Sequence, residues 1–61
     1  MKMSMYEKVS QKAAQDVLAG LGMNSAYGTD SDGTDWDEMY RVCYGYWSQP
    51  ENRSYAERAA K

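Results

Sequence analysis

The chain contains no histidine, phenylalanine or isoleucine, and its 61 residues include one cysteine and one proline. Each absence narrows the function. Histidine is the side chain whose ordinary pKa places proton transfer near neutral pH, so acid–base chemistry here would rest on carboxylates alone. Cys43 has no imidazole to make it a nucleophile and no second thiol with which to form an internal disulfide. These features point away from catalysis and toward a reducing, cytoplasmic setting. Long apolar runs are also lacking: no stretch approaches the roughly 18 residues of a membrane span. Lys2 is not followed by an apolar segment of signal-peptide length.

Branched aliphatics are limited to Val9, Val17, Val42, Leu18 and Leu21. A low aliphatic content accompanies disorder when net charge is high and aromatics are few. Here the net charge is only −2, and two Trp and six Tyr supply the bulk. Residues 1–61 are therefore expected to form a single small domain. A domain of this size buries only about 60% of the surface its unfolded chain exposes, so added stability is expected from a partner or from self-association.

Periodicity predicts an all-α fold of two amphipathic helices joined by a long acidic loop, with a short C-terminal helix. The first helix, over about 4–20, opens on Ser4 with Glu7 three residues later, the spacing of a capping box. Val9, Ala13, Val17, Leu21 and Tyr6 share its apolar arc, edged by Ala14 and Leu18, with Lys8, Lys12, Gln11 and Gln15 opposite. Gly20 and Gly22 supply its stop. Residues 22–34 carry loop chemistry without a period, and a loop of that length in a compact domain is either functional or mobile. The second helix, over about 35–48, has Thr34 or Asp35 as its cap. Its apolar stripe is Trp36, Tyr40, Cys43 and Trp47, flanked by Met39, Val42, Tyr44 and Tyr46. Pro50 forbids simple continuation. Ser48 with Glu51, or Ser54 with Glu57, opens a third helix over about 51–60 whose only large side chain is Tyr55.

Charge is segregated. Between Ala13 and Tyr40 lie Asp16, Asp30, Asp32, Asp35, Asp37 and Glu38 and no base, and the rest of the chain is predominantly basic. Five of the nine acids crowd into Asp30–Glu38, against the start of the aromatic helix. Such a dipolar chain steers partners even at small net charge. Acids at that position also suit the positive end of a helix.

Several motifs are tested by this segment. With Gly33 as the invariant glycine of a calcium loop, Asp30 and Asp32 fall on liganding positions, but Gly28 and Met39 stand where Asp and a bidentate Glu are required. No metal site is expected, and no cofactor. Leu18-Ala-Gly-Leu-Gly-Met-Asn-Ser25 resembles, over about eight residues, the turn of helix-turn-helix DNA-binding proteins. That resemblance implies a basic recognition helix immediately afterwards. The chain instead continues as Tyr27-Gly-Thr-Asp-Ser-Asp-Gly33, which the phosphate backbone would repel. Direct nucleic-acid binding is accordingly not expected, nor a membrane partner.

An aromatic stripe at helical spacing is usually core, and Trp36, Tyr40 and Trp47 are expected to pack on Val9, Ala13 and Val17. Tyr27, Tyr44, Tyr46 and Tyr55 exceed what one small core accommodates with hydroxyls satisfied. Surplus Tyr and Trp beside charge is the composition of protein-binding hot spots. The candidate contact residues are Asp30, Asp32, Asp35, Trp36, Asp37, Glu38, Tyr40 and Tyr44; none is expected to be catalytic. The expected function is a small cytosolic protein-binding module, an inhibitor or modulator that occupies a basic, nucleic-acid-handling surface of a larger partner. Anti-restriction and anti-CRISPR proteins of phages and mobile elements are of this type. The alternatives are a homo-oligomerising structural or adaptor protein, and a helix-turn-helix-like DNA-binding protein.

Overall fold

A computed structural model describes residues 3–61; Lys2, counted among the bases above, lies outside the described residues. The chain is all-helical: α1 (Met5–Leu18), α2 (Trp36–Ser48), a 3-10 turn (Pro50–Asn52) and α3 (Arg53–Ala59). None of these helices is long and apolar enough to cross a membrane.

The start and stop of α1 follow from local chemistry. Ser4 Oγ accepts from Glu7 N–H at 3.1 Å while Glu7 Oε1 accepts from Ser4 N–H at 3.0 Å, closing the expected capping box. At the other end Gly20 adopts φ +74°. Its N–H donates to Val17 O and that of Leu21 donates to Asp16 O, the paired bonds of a Schellman cap. The helix thus ends before Leu21, which projects into solvent instead of extending the apolar arc. Tyr6, also assigned to that arc, is likewise exposed, because it overhangs the packed part of α1.

α1 and α2 run antiparallel, with Ser10 hydrogen-bonded to Trp47 and Asp16 to Tyr40. Between them sits the core cluster of Val9, Ala13, Tyr40 and Cys43, with Trp36 and Trp47 half-buried against it. The predicted aromatic stripe is therefore the packing seam, and Cys43 is one of its small side chains.

α3 packs on a second side of α1. Its anchor is Ala56, fully buried as is Ala14 of α1, and such small side chains suit close helix approach. Tyr55, its only large side chain and one of the tyrosines counted as surplus to the core, is exposed. Gln11 and Gln15, on the polar side of α1, donate to the Lys61 and Ala60 main-chain oxygens at 2.7 and 2.9 Å, with Gln15 still exposed and Gln11 half-buried. The Ala60 oxygen is one that the end of α3 leaves without an internal partner. Neither Ser48 nor Ser54 caps the C-terminal segment. Ser48 Oγ donates back to Tyr44 O at 2.7 Å, a bond available to any serine in a helix, and Asn52 Nδ2 donates to Tyr46 O.

Candidate functional site: the acidic turn on α2

The acidic segment folds on itself. Asp30 N–H donates to Thr34 O at 3.0 Å and Trp36 N–H to Gly28 O at 3.1 Å, which brings Thr29 and Asp35 opposite each other. The tip is closed by Gly33 N–H donating to Asp30 O at 3.1 Å, with Gly33 at φ +90°, a conformation that glycine adopts without steric cost. Asp30 and Asp32 act as turn-building side chains, accepting bonds from backbone N–H groups two to four residues on. Asp30 Oδ1 accepts from Asp32 and Thr34 N–H, and Asp32 Oδ1 accepts from the Thr34 N–H and hydroxyl. Asp30 Oδ2 takes the Trp36 indole N–H at 2.7 Å, which fixes that carboxylate beside the half-buried ring.

The next three acids organise the start of α2. Asp35 is the N-cap, with Oδ1 accepting from Asp37 and Glu38 N–H at 3.1 and 3.2 Å. Glu38 does not complete a capping box; it pairs with Arg41 one turn on. Asp37 reaches backward, accepting from Tyr27 N–H at 2.9 Å and Gly28 N–H at 3.0 Å. The Tyr27 bond, followed by those from the Ser25 hydroxyl and Gly28 N–H, holds the Asp37 carboxyl below its ordinary pKa.

Two aromatic hydroxyls tie the same linker down. Tyr44 donates to Leu21 O at 2.5 Å. Tyr40 is 1% exposed; its hydroxyl accepts from Asn24 N–H at 3.0 Å and donates to Asp16 Oδ2 at 2.5 Å. Lys12 Nζ lies 2.6 Å from the same oxygen and 5.9 Å from the Tyr40 ring centroid. Burial pushes the Asp16 carboxyl up, but the Lys12 and Tyr40 hydrogen bonds and the Lys12 charge outweigh it and leave the group below its ordinary value. Burial, then the bond to Asp16, pushes the Tyr40 phenol up to about 12.

The structure thus divides the predicted contact set. Asp30, Asp32, Asp35 and Glu38 form one exposed acidic surface, with Trp36 and Asp37 half-buried at its base. Tyr44 is half-buried on the linker side. Tyr40 is corrected: it is core, with no surface to offer a partner, because its ring fills the α1–α2 seam and its hydroxyl is saturated by Asp16 and Asn24. Asp16 was not singled out, although its i,i+4 spacing from Lys12 is visible in sequence. Among the described residues, no three His, Cys, Asp or Glu side chains are placed to hold a metal ion.

No protein-family model matches the chain, and no curated protein or solved structure matches it.

Proposed function

We propose that the chain is a cytoplasmic protein-binding module that docks its acidic turn on the basic, nucleic-acid-handling surface of a larger protein. In this reading it acts by occupancy and not by catalysis, and it does not bind nucleic acid itself. The observation that carries the reading is that the exposed carboxylates of Asp30, Asp32 and Asp35 are held in place by hydrogen bonds within the turn. A flexible acidic loop would have to be ordered on binding, whereas a preformed one has met that cost in folding. No base lies between Ala13 and Tyr40 in the sequence, and Arg41 just beyond is paired with Glu38.

Carboxylates beside an indole offer a basic cleft the same elements as phosphates beside a base. Inhibitors carried by phages and mobile elements against restriction or CRISPR enzymes would use such a surface, and that class of partner is the first to test.

The test is affinity capture from the native host with the wild-type chain and with a variant carrying Asp32→Asn, Asp35→Asn and Glu38→Gln. These substitutions remove three charges and keep an oxygen acceptor at each position. The wild type should retain basic nucleic-acid-handling proteins that are released as salt rises, and the variant should lose them. Equal capture of the same proteins by both would remove the acidic turn from the interaction. The wild type should leave the mobility of duplex DNA unchanged at low salt.

A further inference from the structure

Of the aspartates, only Asp32 is followed by glycine; Val, Ser, Trp and Glu follow Asp16, Asp30, Asp35 and Asp37. That pair carries chemistry of its own. The main-chain nitrogen after an aspartate attacks the side-chain Cγ most readily when the following residue is glycine, which has no Cβ to obstruct the approach. Here a bond would form from Gly33 N to Asp32 Cγ while a bond from Cγ to a carboxyl oxygen breaks. That oxygen leaves as water, taking the carboxyl proton and the amide proton. Water then reopens the cyclic imide. Addition at Cγ restores aspartate, whereas addition at the Asp32 main-chain carbonyl leaves the chain running through the side chain as an iso-aspartyl linkage. No oxidant or cofactor enters, and neither mass nor charge changes.

We propose that Asp32–Gly33 is a self-modification site, unreactive while the acidic turn is closed and converted to iso-aspartate when the turn opens. In the closed turn both reacting groups are engaged elsewhere. The Gly33 N–H, whose proton must leave, donates to Asp30 O at 3.1 Å. Asp32 Oδ1 accepts from the Thr34 N–H at 3.0 Å and the Thr34 hydroxyl at 2.7 Å, which ties the carboxyl to Thr34 instead of leaving it free to turn onto Gly33 N. Burial gives no protection. Asp32 and Gly33 are both exposed, and beyond its chain neighbours nothing lies within 4 Å of where a Gly33 Cβ would stand. The guard is therefore a set of hydrogen bonds, and it lasts only as long as the turn does. Conversion inserts an extra main-chain carbon between Asp30 and Thr34. The Asp30–Thr34 bond and the Thr29–Asp35 pairing span that point, so their register is lost. The negative charges remain and their arrangement does not. The inference stands apart from the proposed partner, since it is read on the free chain.

The test is incubation of the full chain in warm neutral buffer, both folded and unfolded in guanidinium chloride. Proteolysis and electron-transfer fragmentation then separate iso-aspartate from aspartate at each position. In the unfolded chain Asp32 should convert faster than any other aspartate. In the folded chain its rate should fall by about tenfold or more, in step with the exchange protection of the Gly33 amide, since both need the turn open. Thr34→Val removes the hydroxyl donor and should raise the folded-state rate by about 2- to 10-fold. The same variant should leave the unfolded-state rate and the helical circular dichroism unchanged. Equal wild-type rates folded and unfolded, an unfolded chain in which Asp32 converts no faster than the other aspartates, or a folded Thr34→Val rate equal to wild type would each overturn the proposal.

Discussion

The two flanks of α2 are built from similar residues and meet different fates. On one, Tyr40, Tyr44 and Asp37 each hold part of the linker: Asn24 N–H, Leu21 O, and the N–H groups of Tyr27 and Gly28. On the other, Val42 and Tyr46 look onto an open groove. Hydrophobicity does not separate them, since tyrosine stands on both. What separates them is the supply of side-chain acceptors and donors that meet the linker's backbone groups. A segment with little apolar bulk is ordered only if its N–H and C=O groups find partners, and α2 offers such partners on one side alone. The linker's path is thus set by polar anchors, while the acidic turn that follows is held by its own carboxylates.

The largest effect expected from this contrast is at Tyr40. Tyr40→Phe keeps the ring but strips the hydroxyl from Asp16 and Asn24, and should cost about 1–3 kcal/mol in urea unfolding. Tyr46→Phe on the bare flank should stay within about 0.5 kcal/mol. Equal costs would erase the distinction between the flanks.

pH sharpens the same point. Tyr40 has its folded pKa raised from 10.0 to about 12, so its contribution is fully present below pH 10.0 and is lost as pH rises toward 12. Asp16 and Asp37 are lowered from 3.8, so theirs is present above that value and lost as pH falls through the depressed folded values. Thermal unfolding across the pH range should show both limbs, and Tyr40→Phe should remove the part of the alkaline limb between 10.0 and 12 that Tyr40 supplies.

Two smaller effects lie where the linker meets the helices. Gly20→Ala forces a side chain into the left-handed region at φ +74° and should cost roughly 1–2 kcal/mol by thermal melt. Asp35→Ala removes the cap of α2 for about 1 kcal/mol, whereas Asp35→Asn, itself a good cap, should leave the melting temperature nearly unchanged.

Much of the fold is legible in the sequence because its signals are local. Ser4 with Glu7, the Gly20 stop and the Asp35 cap act within a few residues, and the Trp36–Tyr40–Cys43–Trp47 stripe declares the buried face of α2. What sequence left hidden is long-range. Asp16 and Tyr40 are 24 residues apart, and Asp37 reads as a helix-dipole residue until its two bonds to the linker are seen. Tyr40 fits a contact list and a core list equally well on composition, and only its burial decides. The bonds of Gln11 and Gln15 to the C-terminal main chain are not legible either, because their acceptors come 45 or more residues later. The acidic residues were recognisable as a group, but that they build the turn they occupy follows from bonds no spacing rule declares.

Whether the turn exists before any partner arrives is decided by amide hydrogen exchange in the free protein. The N–H groups of Asn24, Tyr27, Gly28 and Thr34 should exchange roughly tenfold or more slowly than in an unstructured peptide, and Asp37→Ala should release Tyr27 and Gly28 while the α1 amides stay protected. Exchange of all four at the unstructured rate in the wild type would mean that the acidic segment is a flexible loop, and a preformed binding surface would no longer stand.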